Sequence, residues 1–207
     1  AMEAGCKILV VDYRLAPKYP FPAGFDDCYL ALQWVLDNAS ELGVDVSRIA
    51  VGGDSAGGAM SAGVAQKARD EIPAALCAQL LVYPVTDNTC STSSATDFVD
   101  VPLFNARSNR NMWEMYLSED TGPVAPPYAA PGFGQLHDLP LSYVETAEFD
   151  PLRDEGLMHA QKLQEAGIEV VLNETKGTVH GYDAMVASPL AQDGMASRIA
   201  FLKRAFN

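Results

Sequence analysis

Apolar positions along the chain fall either into short continuous runs or into longer stretches where they recur at the helical repeat. Residues 7–12, Lys7-Ile8-Leu9-Val10-Val11-Asp12, form a short apolar and β-branched run that reads as a buried strand. Tyr13-Arg14-Leu15-Ala16-Pro17 and the proline-rich stretch through Pro22 read as loop. Over residues 23–38, Phe25, Tyr29, Leu32, Val35 and Leu36 recur at helical spacing, which predicts a helix. Arg48-Ile49-Ala50-Val51-Gly52 predicts a second strand, running straight into Gly53-Asp54-Ser55-Ala56-Gly57-Gly58, and small helix formers follow over residues 59–69. Further strands are expected over 77–82, 141–146 and 168–172, the first of them stopped by Tyr83-Pro84. Helices are expected over 154–166, with Gly167 placed to end it, and over 191–206. Strands alternating with helices of this length predict an α/β fold, a mostly parallel sheet with helices on both faces.

Residues 87–131 depart from the alternation. The stretch opens Thr89-Cys90-Ser91-Thr92-Ser93-Ser94 and carries Pro102, Pro123, Pro126, Pro127 and Pro131. Within it, residues 109–117 with Met112, Trp113, Met115 and Tyr116 predict one helix. An insertion this long between strands is usually functional, and its Met and aromatic content favours a cap or lid over a solvated loop. The 207 residues, 48% of them hydrophobic, suit one core, so residues 1–207 are expected to form one catalytic-size domain carrying that insertion.

Charge narrows the partners. Acidic residues number 27 against 14 basic ones, a net charge of −13, and such a polyanion is repelled by nucleic acid and by anionic membranes. A neutral or apolar small molecule fits better. Cys6, Cys28, Cys77 and Cys90 form no C-x-x-C pair and no histidine cluster lies near them, so no zinc site is expected. Reduced thiols in a cytoplasmic protein are the simpler reading, with Cys6 and Cys77 as core packing. Residues 1–5 lack the basic start and apolar stretch of a signal peptide, and no run approaches the roughly 18 apolar residues of a membrane span.

Gly53-Asp54-Ser55-Ala56-Gly57 matches G-x-S-x-G. The pattern alone is weak, but here it stands where a strand ends and a helix begins, as a nucleophile elbow requires. The glycines are expected to be needed because a Cβ would collide across the turn. Ser55 is then the candidate nucleophile, and the N–H of Ala56, at a helix start, the candidate oxyanion donor. A serine hydroxyl needs a base, and the chain has His137, His159 and His180. His137 reads as a solvent-facing loop residue and His159 as a helix surface residue. His180 follows the fifth strand, at the carboxyl edge where open α/β sheets assemble their sites. Among the carboxylates after the fourth strand, Asp150 comes just past the strand and is held by Pro151, whereas Asp154 and Glu155 suit the first turn of the next helix. Ser55, Asp150, His180 is the chain order of α/β-hydrolases.

With these residues in view, the sequence resembles the hormone-sensitive lipase family of carboxylesterases. The resemblance rests on Val11-Asp12-Tyr13-Arg14-Leu15-Ala16-Pro17, Phe21-Pro22-Ala23, Gly52 through Gly58, Tyr83-Pro84, Asp150-Pro151-Leu152-Arg153-Asp154-Glu155-Gly156 and His180-Gly181-Tyr182. It implies an α/β-hydrolase fold, hydrolysis of short-chain acyl esters, no cofactor, and the triad assigned above. It also implies that Met112 and Leu152 face the substrate pocket. The family's H-G-G-G motif, whose N–H groups supply most of its oxyanion hole, has no counterpart here. The expectation is an N-terminally incomplete chain, with a gap beside the 7–12 strand that a missing polypeptide or a second subunit would close. Two other readings stay open: a catalytically impaired or purely ligand-binding protein on this fold, and an α/β-hydrolase acting on amides or lactones.

Overall fold

The computed structural model describes residues 1–117 and 125–207. Its core is a parallel sheet of four strands in the order β1-β2-β3-β4, with β1 Ala50–Asp54, β2 Ala78–Val82, β3 Leu141–Phe149 and β4 Val170–Val179. The central strands are buried on both faces; Ala78–Val82 is accordingly apolar but for Gln79, while Leu141–Phe149 carries Ser142, Glu145 and Thr146 into the interior. Helices α1 (Ala23–Asp37) and α2 (Ala39–Leu42) precede β1, α3 (Ala56–Glu71), α4 (Ser93–Asp97), α5 (Ala106–Tyr116) and α6 (Arg153–Glu165) run between the strands, and α7 (Pro189–Ala205) follows β4.

Side-chain alternation along the strands sorts the helices. Leu81 and Val144 meet Ala62 and Ala65 of α3 and Ala160 and Leu163 of α6 on one face. Ala78 and Tyr143 meet Phe201 of α7 on the other. Phe25, Tyr29 and Leu32 of α1 pack over Val64 and Ala68 of α3 as an outer layer. Gly167, with φ +83°, donates its N–H to Gln164 O and ends α6 in the left-handed conformation.

Three expectations are corrected. Residues 7–12 form no strand: Ile8 is 63% and Val10 86% exposed, and no described strand pairs with them. A β-branched run becomes a strand only where its backbone finds a partner. Here a groove of about 1040 Å³, lined by residues 5–11 on one side and 48–57 on the other, separates the segment from β1. The segment is held instead by its ends. Lys7 Nζ donates to Leu42 O and Gly43 O, and Arg14 donates from its backbone N–H and from Nε to Asp27 Oδ2, each at 2.9 Å. His159 is the second correction, being 1% exposed inside the α6 interface rather than on the surface. Third, Cys6 is half-buried and joins no core cluster, whereas Cys77 packs as expected against the cluster of Ala78, Tyr143 and Phe201, and Cys90 is buried in another.

Within residues 87–131 the structure adds α4, which the sequence pattern did not predict, and α5 in place of the expected 109–117 helix. Residues 118–124 of that expected lid, Pro123 among them, lie outside the described residues. No helix among the described residues is long and apolar enough to cross a membrane.

Candidate active site

Strand β1 ends at Asp54, α3 begins at Ala56, and Ser55 alone makes the turn between them. Its backbone lies at φ 55°, ψ −117°, a region that non-glycine residues avoid and hold only when the surroundings impose it. The imposing contacts are visible. Ser55 N–H donates to Val82 O at 2.9 Å, continuing the β1–β2 ladder, and Ser55 O accepts from Ala59 N–H of α3 at 3.1 Å. A Cβ on Gly53 would stand 2.5 Å from Gly57 C, and one on Gly58 2.9 Å from Pro84 Cβ, so both positions need glycine. Gly57 does not, since a Cβ there meets no atom within 4 Å. The expectation that every elbow glycine is sterically required therefore holds for only part of the motif.

The turn presents the Ser55 hydroxyl to His180. His180 Nε2 lies 2.9 Å from Ser55 Oγ and His180 Nδ1 lies 2.7 Å from Asp150 Oδ2. With the proton on Nδ1, His180 donates to Asp150 and accepts at Nε2 from Ser55. Asp150 is fully buried just beyond β3, and its Oδ1 accepts the Leu152 N–H at 2.9 Å. The three residues thus meet at the carboxyl edge of the sheet, and His137 and His159 do not join them. His137 is an exposed loop residue beside Asp138. His159, with both ring nitrogens unpartnered, has its pKa pushed down to about 4 by burial, with a smaller contribution from Lys162.

Ala56 opens α3, so its N–H is one of the donors that a helix start leaves free, and it stands beside the Ser55 hydroxyl. Met112 of α5 packs half-buried against a cluster that contains Trp113, Ala59 and Leu152. Leu152 is fully buried in that cluster, directly behind the acid.

Two aromatic residues at the site were not singled out by sequence. The Tyr83 ring lies 4.6 Å from the His180 ring and the Phe104 ring 4.7 Å from it, centroid to centroid, so both pack against the imidazole. Tyr83 enters the sequence reading as a strand stop and, with Pro84, as part of the family resemblance but with no role at the site, and nothing marks Phe104 within a proline-rich stretch. Glu155 stands in the first turn of α6, as its position in the sequence suggests. It is also buried, its Oε1 accepting from the N–H groups of Thr86 (2.6 Å) and Asp87 (3.2 Å). Burial drives its pKa well above the ordinary carboxyl range, against the lowering effect of those two donors.

Comparison with known proteins identifies the fold and the family. A family model described as alpha/beta hydrolase fold matches residues 1–184. Carboxylesterase NlhH of Mycobacterium tuberculosis is 42% identical over 217 aligned residues, covering 100% of this chain and 66% of that protein. Among solved structures, a bacterial heroin esterase superposes with a TM-score of 0.91 at 42% identity, over 94% of this chain and 63% of that one. A hyperthermophilic esterase from the archaeon Pyrobaculum calidifontis gives 0.93 at 36% identity, over 99% and 68%. The chain therefore spans just under two thirds of the length of NlhH. A match over most of its length, joined to the strand–serine–helix turn at the edge of a parallel sheet, makes the chain a member of the alpha/beta hydrolase fold family.

Proposed function

We propose that the chain carries the catalytic centre of a carboxylesterase that hydrolyses short-chain acyl esters through an acyl-enzyme. The observation that carries this reading is the line Asp150–His180–Ser55, at 2.7 and 2.9 Å, ending on a serine whose backbone is held in a strained turn. His180 takes the Ser55 proton as Oγ attacks the ester carbonyl, and Asp150 stabilises the imidazolium that results. His180 then protonates the leaving alcohol, and the same base activates the water that frees the acid. The names of the similar proteins, carboxylesterase and esterase, point to the same chemistry. Met112, packed against the cluster that holds Ala59 and Leu152, is the candidate for a substrate contact, while Leu152 packs in that cluster and donates its N–H to Asp150. The net charge of −13 favours a neutral substrate over nucleic acid or an anionic membrane, and four free thiols suit the cytoplasm.

Ala56 supplies one oxyanion donor. A second would come from a polypeptide segment lying in the groove beside β1, whose inner end opens onto Ser55 and Ala56. Loss of one such donor typically costs about 3 to 4 kcal/mol of transition-state stabilisation. A bound but slowly turned-over ester is accordingly the second reading for the chain by itself. Hydrolysis of a short p-nitrophenyl ester, with Ser55→Ala as control, separates the two. Turnover that vanishes in the control supports the esterase. Ester binding without turnover above the control favours the ligand-binding reading, and neither binding nor turnover would sink both.

A further inference from the structure

Beneath the His180 loop lies a set of buried charges for which the proposed chemistry has no use. Glu145 of β3 is fully buried. It accepts from Tyr143 Oη at 2.6 Å, Tyr182 Oη at 2.8 Å, Asn173 Nδ2 at 3.0 Å and Arg198 Nη2 at 2.5 Å. Arg198 of α7, 7% exposed, spends its other arm on Asp183, with Nη1 donating to Oδ2 at 2.6 Å. Asp183 Oδ1 in turn accepts the Tyr83 hydroxyl at 2.7 Å, and the Tyr83 ring is one of the two that pack against His180. Tyr83 is also tied from its backbone, its N–H donating to Glu145 O at 2.7 Å.

The connection to the imidazole is short. Gly181, at φ +72°, reverses the chain after His180, and residues Tyr182–Ala184 make a single 3-10 turn. The two residues after Gly181 are those that reach Glu145 and Asp183's partner Arg198. Helix α7 is shaped for this, because a Cβ on Gly194 would run into the Tyr182 hydroxyl. Burial alone would raise the pKa of Glu145 and Asp183. For Glu145, Arg198 with the Tyr143 and Tyr182 hydroxyls outweighs this, and for Asp183, Tyr83 with Arg198 does, so both carboxylates stay ionised. A buried ion triad is a poor way to add stability, since apolar side chains of similar volume often do as well. It does fix geometry, because every donor and acceptor must be met at once.

We propose that Arg198 is a positioning residue for His180. By bridging Glu145 on β3 to Asp183 in the turn after the histidine, it sets where the imidazole stands between Ser55 and Asp150. The inference rests on the esterase reading for its kinetic consequence but not for its structural one. The test uses the full chain with four variants: Asp183→Ala, Tyr83→Phe, Arg198→Met and Arg198→Lys. Four quantities are read: kcat and KM on a short p-nitrophenyl ester, the melting temperature, and the downfield proton NMR signal of His180 Nδ1, identified by its loss in His180→Gln.

Asp183→Ala leaves the Arg198–Glu145 pair intact and is expected to fold. It should lower kcat by about tenfold or more with KM changed by less than about twofold, and broaden or shift the Nδ1 signal. Tyr83→Phe keeps the ring against His180 and should give a smaller loss of the same kind. Arg198→Lys should recover part of the kcat lost in Arg198→Met. Wild-type kcat and an unmoved Nδ1 signal in Asp183→Ala would overturn the proposal. So would a fall in kcat that only tracks a fall in melting temperature across the set. If the parent chain itself shows no turnover, the esterase reading fails, and the Nδ1 signal in Asp183→Ala decides the positioning role alone.

Discussion

His159 and Glu155 lie one helical turn apart on α6, and burial acts on them with opposite sign. His159 is folded as a neutral imidazole with a pKa near 4, while in the unfolded chain it titrates near its ordinary value of 6.5. Below that value the unfolded state binds a proton that the folded state refuses. Stability is therefore fully present above pH 6.5 and is lost as pH falls toward 4, by on the order of 3 kcal/mol for this group. Thermal melts across that window should show the loss, and His159→Leu should flatten it. Glu155 runs the other way. Its folded pKa is raised, so its contribution is present below the unfolded carboxyl pKa and lost as pH rises through the folded one. Glu155→Gln keeps an acceptor for the Thr86 and Asp87 N–H groups and should melt above the parent at alkaline pH, with the advantage gone in acid. At the elbow, Gly53→Ala is expected to abolish soluble folded protein, since its Cβ has no room beside Gly57. Gly57→Ala should fold normally and gain up to about 1 kcal/mol in denaturant melts, because helix α3 prefers alanine there. The G-x-S-x-G spacing made the serine legible. It could not tell which glycine is crowded, since that depends on how tightly the turn folds Gly53 onto Gly57 and, for Gly58, on Pro84 from another part of the chain.

At the scale of elements, the acid loop between β3 and α6 is held from outside by α4. Ser94 N–H donates to Asp154 Oδ2 at 2.8 Å, Asp154 N–H donates back to Ser94 Oγ at 3.0 Å, and Ser94 Oγ–H donates to Pro151 O at 2.9 Å. Residue 151 follows Asp150 directly, so this reciprocal cap fixes the start of α6 and the carboxylate together. Ser94→Ala breaks two of the three bonds and leaves the buried Pro151 carbonyl unmet. The expected cost is about 1 to 3 kcal/mol in equilibrium unfolding, with a lower kcat as Asp150 loosens. An unchanged unfolding midpoint would mean that water replaces the hydroxyl. Elements with their own period were legible: α1, α3, α6 and α7, and strands β1 to β4, all lie within a few residues of their sequence expectation apart from the long carboxyl end of β4. That strand runs on to Val179 because β3 offers a partner as far as Phe149 after a register shift, which no local pattern encodes. Helix α4 was invisible for a related reason. Ser93-Ser94-Ala95-Thr96-Asp97 has almost no apolar periodicity, and its helix is sustained by the Thr92 cap and by Asp154 across the interface.

For the molecule as a whole, the open edge of β1 decides how much of the site is in place. Ser55 N–H donates to Val82 O and Ile49 O accepts from Cys77 N–H, which fixes the phase of the parallel ladder. By the two-residue alternation, the N–H groups of Val51 and Gly53 point to β2, while those of Gly52 and Asp54 point into the groove. Both of the latter residues are exposed, and across from them Ile8, Leu9 and Val10 lie 63%, 49% and 86% exposed. Unpaired strand backbone facing an apolar wall is a template for one more strand. Hydrogen–deuterium exchange on the chain alone should find Gly52 and Asp54 unprotected between protected Val51 and Gly53. A strand seated in the groove, from a further segment of the protein or from a second copy, should protect both amides and raise the melting temperature. By placing an N–H near Ala56 it should also raise kcat without an equal change in KM, as a donor that acts in the transition state must. Sedimentation distinguishes the two sources, because only a second copy makes the protection depend on protein concentration. Full protection of Gly52 and Asp54 in a monomer of this chain would mean that residues 7–12 close onto β1 by themselves in solution, and the second oxyanion donor would then have to come from elsewhere in the fold.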